Sequence, residues 1–152
     1  LAIILNLNGL AAGAATVGCC ANMIGFAVAS YKENKMGGLI SQGIGTSMLQ
    51  VPNIMKKPVI WLPAVIASAI LGPVATMVFH MTNNPSGAGM GSAGLVGQIM
   101  TWQTMIGTEN PVVLIIKIAL LHFILPGIIA FIVSYIMRKK GIIQEGDMKL
   151  EL

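Results

Sequence analysis

Three long runs of apolar residues, separated by short polar segments, set the frame of this chain. Gly9–Tyr31 contains no charged side chain, and its 23 residues would extend about 34 Å as a helix. Val59–Phe79 is equally free of ionisable groups, and Pro111–Met137 is interrupted only by Lys117 and His122. Each run is long enough to cross the hydrocarbon core of a bilayer. The pattern predicts an all-α polytopic membrane protein with about three transmembrane helices. Pro63 and Pro73 predict kinks in the second span, and Trp61 near its start predicts an interfacial anchor. Within the first run Ala14, Gly18, Asn22 and Gly25 share a helical face, and Gly9 and Gly13 add a GxxxG spacing, so this face is expected to meet another helix. Asn22 reads as interhelical glue or as a pathway residue.

Between the first two runs the period changes. Gln42, Thr46 and Gln50 fall on one helical face of Gly37–Pro52, and Ile40, Ile44, Met48 and Val51 on another. That predicts an amphipathic or re-entrant helix, and the lack of a dense basic face favours packing against protein. Between the second and third runs lies His80–Gln98, too polar and glycine-rich for a lipid-facing helix and too poor in charge for a soluble loop. Irregular backbone at membrane depth survives only where it is buried in protein or lines a wet cavity. A re-entrant Gly-rich loop is therefore expected here. A short helix over Ala93–Ile106 is expected to begin at Ser92 as N-cap. Asn110-Pro111 predicts the next helix start, and Gly141 predicts the cap of the last span. The tail Ile142–Leu152 is short and polar and is expected to be mobile.

Composition supports this picture. Charged residues make up 9% of the 152 and hydrophobic ones 55%, against about 25% charged in soluble domains. The mean hydropathy is +0.82. The net charge of +4 implies topology rather than nucleic acid, which is not expected as a partner. Lys32, Lys35, Lys56, Lys57, Arg138, Lys139 and Lys140 fall on one side of a three-span arrangement, while Thr82–Asn110 has no Lys or Arg. The positive-inside rule then predicts a multi-pass protein of the cell membrane with a cytoplasmic C-terminus. The chain starts at Leu1, so it is expected to be the C-terminal part of a longer polypeptide.

Candidate chemistry is sparse. Cys19 and Cys20 are adjacent in an apolar helix and read as packing residues. No cofactor and no metal site are expected, since neither His80 nor His122 has further ligands at metal spacing. His122 and Lys117 read as a satisfied interior group and an outward-snorkelling cation. Gly89-Met90-Gly91-Ser92-Ala93-Gly94 matches G-x-G-x-x-G, but no strand precedes it, which excludes a dinucleotide site. No catalytic nucleophile constellation is present. Asn84, Ser86 and Gln98 offer neutral hydrogen-bonding groups, and Gly87, Gly89 and Gly91 allow close backbone approach. With His80 and Glu109 at the margins, these suit a neutral polyhydroxylated solute such as a sugar. A tightly packed hairpin without ligand contacts is the alternative.

Gly43-Ile44-Gly45-Thr46-Ser47, Pro52-Asn53, and above all Asn84-Pro85-Ser86-Gly87-Ala88-Gly89-Met90-Gly91 with Gly94-Leu95-Val96-Gly97-Gln98 resemble the membrane (IIC) component of bacterial sugar phosphotransferase systems. The nearest branch is the perfringolysin-regulator-like group. The resemblance covers most of the chain. It implies that residues 1–141 are the C-terminal half of a IIC-type permease domain and 142–152 a cytoplasmic tail. It further implies a homodimer in the lipid bilayer, binding and translocating a sugar, with phosphoryl transfer supplied by cytoplasmic IIA and IIB partners. Glucose-type members carry an Ile-Thr-Glu-Pro-like motif whose Glu binds sugar; Thr108-Glu109-Asn110-Pro111 departs from it by an added Asn. The branch is also associated with regulation, so a membrane regulator or sensor that keeps the fold without transport is the second reading. An ion-coupled transporter is a third; it would need acids at mid-membrane, and none lies in the three spans.

Overall fold

The computed structural model describes residues 1–150. Helix α1 (Gly9–Ala29) is the post around which the rest is built. The second span, Pro58–Val78, contains α4 (Leu62–Pro73). The third, Pro111–Lys139, contains α7 (Pro111–Ala119) and α8 (Leu125–Lys139). These three are long and apolar enough to cross a membrane, within a residue or two of the runs in the sequence. Among the described residues no strand occurs; one isolated antiparallel bridge pairs Gly9 with Asn83.

Pro63 and Pro73 both lie where the second span tolerates them. Pro63 occupies the first turn of α4, where its missing N–H costs no intrahelical hydrogen bond. Pro73 leads into a π turn at Val74–Val78, and a second π turn at Leu120–Ile124 precedes Pro126. Such widened turns absorb the donor that proline removes. Asn110 accepts from the Val112 N–H at 3.0 Å with Pro111 next to it, and Gly141 ends α8 with φ +74°, as the sequence implies.

The small-residue face of α1 is used unevenly. A Cβ on Gly25 would meet Ala64 and Ala130 at 3.3 and 3.4 Å, so α4 and α8 both close on it. One on Gly13 would run into the Met81 carbonyl. At Gly18 the same position is open. The expectation of close helix approach at Gly18 is corrected: α4 meets it with a polar contact, Ser68 Oγ lying 3.2 Å from the Gly18 carbonyl and 2.9 Å from the Ala64 carbonyl of its own helix.

Two apolar clusters flank this post. One joins Val17 and Ala21 to Leu71, Met81, Met105, Leu114 and Leu121. The other joins Phe26, Ile60, Ala64 and Met137 to Ile143 and Met148. The second cluster overturns the expected mobile tail. Ile143 and Met148 are buried, and Lys57 pairs with Asp147 at 2.5 Å. Burial pushes the Asp147 carboxyl up, but the Lys57 hydrogen bond, the Gln144 N–H and the Lys57 and Arg138 charges outweigh it, holding the group below its usual range. Residues 142–150 therefore lie across the end of the bundle where the basic residues gather; Glu151 and Leu152 lie outside the described residues.

Candidate functional site

Two irregular segments fold back along α1 from opposite ends. At the basic end, α2 (Tyr31–Ile40) passes into a π turn at Ser41–Gly45. Thr46 then breaks the helix with φ −157° and caps a short turn by accepting from the Met48 N–H at 3.1 Å, before α3 (Val51–Lys56) returns to that end. The continuous amphipathic helix expected over Gly37–Pro52 is thus interrupted. The buried Gln42 and Gln50 and the exposed Thr46 do not share a face. The segment is re-entrant. Ser47 Oγ accepts from Asn22 Nδ2 at 3.1 Å, seven residues inside the end of α1, or about 10 Å along its axis. Asn22 Oδ1 also accepts from Trp61 Nε1 at 3.1 Å, so Trp61 is tied into the bundle and Asn22 joins three elements.

From the other end comes α5 (Pro85–Met90), followed by α6 (Val96–Met105). Gly9 and Asn83 exchange both backbone hydrogen bonds, at 3.1 and 3.2 Å. Gly91, with φ +56°, then brings its backbone against Cys19, where a Cβ would approach 2.6 Å. That is ten residues further along α1, or about 15 Å. Gly94 and Leu95 turn the chain back in left-handed conformations, with φ of 56° and 61°. Ser92 does not cap the following helix, contrary to expectation. Its buried hydroxyl donates to the Gly43 carbonyl at 2.6 Å. This bond joins the tips of the two re-entrant segments beside Met23.

The residue that fastens the glycine-rich hairpin is Asn83, which the sequence reading passed over. Its Nδ2 lies 2.7 Å from Thr16 Oγ1, 2.9 Å from Thr101 Oγ1 and 3.2 Å from the Gly97 carbonyl. Its Oδ1 accepts from the Asn84 N–H at 2.8 Å. The available signal was its place beside the Asn-Pro start, which does not by itself tell one asparagine from the other.

The anticipated site residues divide into groups. Asn84 caps α5, accepting from the Gly87 N–H at 3.0 Å, and its Nδ2 faces Met100 Sδ at 3.3 Å. Gly87 leaves room for Asn83. Ser86 and Gly89 line a cavity of about 260 Å³ with Leu1, Ala2 and Ile3. Gly91 and Gln98 lie on the consecutive Cys19 and Cys20 of α1: Gln98 Nε2 is 3.4 Å from Cys20 Sγ, and Gln98 Oε1 is buried with no partner. His80 is exposed at the end of the second span, with φ 46°. Glu109 is held by Lys117 at 2.5 Å, and Lys117 also donates to the Phe79 carbonyl at 3.1 Å. Lys117 therefore reaches back toward the end of its span, where it meets a carboxylate and a carbonyl and closes the end of the second span. His122 is buried with both ring nitrogens unpaired among the described residues, so the expectation of a satisfied interior group is corrected.

Among the described residues no cluster of His, Cys, Asp or Glu could hold a metal. Glu33 pairs with Arg138 at 3.0 Å at the basic end, and Glu109 lies at the opposite end. Three helices long and apolar enough to cross a membrane, enclosing two irregular segments that meet inside the bundle, define a polytopic helical membrane protein. A family model described as "Phosphotransferase system, EIIC" matches residues 1–150, and the chain belongs to that family. Membership makes it a membrane component of a sugar phosphotransferase system, whose partners are in general a sugar and IIA and IIB proteins. No curated protein and no solved structure matches the chain.

Proposed function

We propose that this chain binds a sugar where its two re-entrant segments meet and carries it across the membrane for phosphorylation by a cytoplasmic IIB partner. The observation that carries the reading is the Ser92–Gly43 contact inside the bundle. Paired interrupted segments at mid-span are where transporters place substrate sites. The unpaired Gln98 Oε1 beside it is an acceptor suited to a sugar hydroxyl. Ser86 and Gly89 offer an entry surface, His80 and Glu109 stand at the outer margin, and Asn84, Gly87 and Gly91 hold the hairpin's shape. The Pro85–Gly91 run supports placement in the perfringolysin-regulator-like branch, residues 1–141 being the permease half and 142–152 its cytoplasmic tail. The protein works as a homodimer.

A panel of sugars titrated calorimetrically against purified full-length protein tests the site. Gln98→Ala is expected to weaken binding of the sugar that binds by about 5- to 150-fold, the equivalent of one unpaired buried polar group at about 1–3 kcal/mol, with unchanged folded yield. Equal affinity in Gln98→Ala and Ser86→Ala would place the site elsewhere. A folded protein that binds no sugar of the panel would favour the regulator reading.

The orientation rests on the gathering of cations at one end. Cysteines placed at the exposed Lys35, Lys56 and Lys140 are expected to react with an impermeant thiol reagent only from the cytoplasm, and one at Gly107 only from outside. Labelling of position 56 from outside would overturn the three-span topology.

A further inference from the structure

The docked tail is hydrogen-bonded into the same end of the molecule from which the first re-entrant segment enters. Met148 is gripped on both sides of its peptide unit. Its N–H donates to Glu33 Oε2 at 2.9 Å, and its carbonyl accepts from Asn34 Nδ2 at 2.8 Å and from Gln50 Nε2 at 2.9 Å. Gln50 Nε2 donates in addition to Gln42 Oε1 at 2.9 Å. Gln42 Nε2 donates to Ser30 Oγ at 2.8 Å, which anchors the pair to the end of α1. Gln42, Gln50 and Ser30 are fully buried. The residue after Gln42 is Gly43, whose carbonyl receives the Ser92 hydroxyl. An unbroken line of hydrogen bonds and one peptide link therefore runs from Met148 to the point where the re-entrant segments touch.

We propose that residues 142–150 act as a strap whose docking positions the Gly43 turn through Gln50 and Gln42, so that undocking the tail loosens the contact with Ser92. The physical reason is the cost of an unmade bond in a buried place. With the tail docked Gln50 is fully buried and its Nε2 is shared between the Met148 carbonyl and Gln42 Oε1; water that enters when the tail leaves competes for both positions. When the tail leaves, Gln50 and the Gln42 bonded to it must rearrange, and Gly43 is covalently next in line. Buried polar networks of this kind hold one arrangement only while every member is satisfied. Gln42 and Gln50 are thus positioning residues. The inference rests on the junction being the sugar site only for its functional consequence. Coupling between two sites is reciprocal at equilibrium, so a sugar held at the junction favours the docked tail by the same factor by which docking favours the sugar.

The test uses the full-length protein with Cys19→Ala and the native Cys20 as reporter, because Cys20 is fully buried and packs against Gln98 beside the junction. The chain with both Cys19→Ala and Cys20→Ala gives the background. Labelling by a water-soluble maleimide and hydrogen exchange at the Met148 and Leu150 amides are followed together. Truncation after Gly141, or Gln50→Ala, is expected to raise labelling at position 20 by about tenfold, as one lost buried hydrogen bond implies. Combining the two is expected to add little further. If the truncated chain fails to fold, Met148→Glu, which puts a charge on the apolar anchor at full length, replaces it. Labelling unchanged by tail release overturns the strap, as does free exchange of the Met148 and Leu150 amides in the unaltered protein. Sugar binding with uncoupled labelling sinks the strap alone. Coupled labelling in a protein that binds no sugar supports the strap and sinks the sugar reading.

Discussion

Gly13→Ala is expected to be the most damaging single-methyl substitution in the first span, while Gly18→Ala, five residues on in the same helix, is expected to be neutral or mildly stabilising. The added Cβ at Gly13 has nowhere to go. It meets the carbonyl of Met81, a backbone group fixed by its own N–H, which donates to the Ala75 carbonyl at 2.8 Å. A flexible side chain could swing away; a backbone fastened at the end of the second span cannot. Overpacking of this kind costs about 1–3 kcal/mol and sometimes more, and the obstacle here argues for the upper end. Gly18 has open space at the same position, so the gain in helix propensity, up to about 1 kcal/mol, is free to appear. Gly25→Ala, at 3.3 Å from Ala64, should fall between them. Folded yield by size exclusion and thermal midpoints in detergent give the ranking. Equal loss at positions 13 and 18 would mean that α1 packs by a different face.

The second large effect is expected at Asn83. Asn83→Ala removes the donor facing Thr16 Oγ1, Thr101 Oγ1 and the Gly97 carbonyl, and strands the Asn84 N–H. Losing partners for buried groups costs about 1–3 kcal/mol each where they stay unsatisfied. The two threonine hydroxyls keep bonds to their own helices, through the Ala12 and Gly97 carbonyls at 2.8 and 2.7 Å, so the sum should stay near about 3 kcal/mol. The backbone pair with Gly9 survives the substitution, and the loss should therefore appear as faster proteolysis and hydrogen exchange over Pro85–Gln98 before global unfolding. Thr16→Val and Thr101→Val should each cost about 1 kcal/mol, and each should cost less once Asn83 is already Ala, because the lost bonds are shared. Asn83→Ala with unchanged exchange in the hairpin would show that glycine packing alone holds it.

These two experiments probe what the chain's linear pattern left open. The three spans were readable because a run of uncharged residues longer than a bilayer core has few alternatives. The same holds for the Asn110-Pro111 start and the Gly141 cap, whose chemistry is local to two or three residues. The re-entrant character of His80–Gln98 was also readable, since glycine and polar residues between two spans need shelter from lipid. The period of Gly37–Pro52 was not a reliable guide. Gln42 and Gln50 are buried for the sake of partners in the tail and at the end of α1, and such partners override amphipathicity.

What the sequence by itself determined is therefore the class: an all-helical membrane protein with its cations at one end and a glycine-rich break between its second and third spans. Tertiary structure alone decided which asparagine fastens that break, which glycine of α1 is tight and which is open, that Lys117 pairs with Glu109, and that the tail docks. The reason is range. Span length and cap chemistry are set by neighbours within a few turns, whereas Asn83 meets Thr16 across 67 residues and Gln50 meets Met148 across 98. Whether a buried polar group finds its partner at such separations depends on how the helices are packed, and no period in the chain records that.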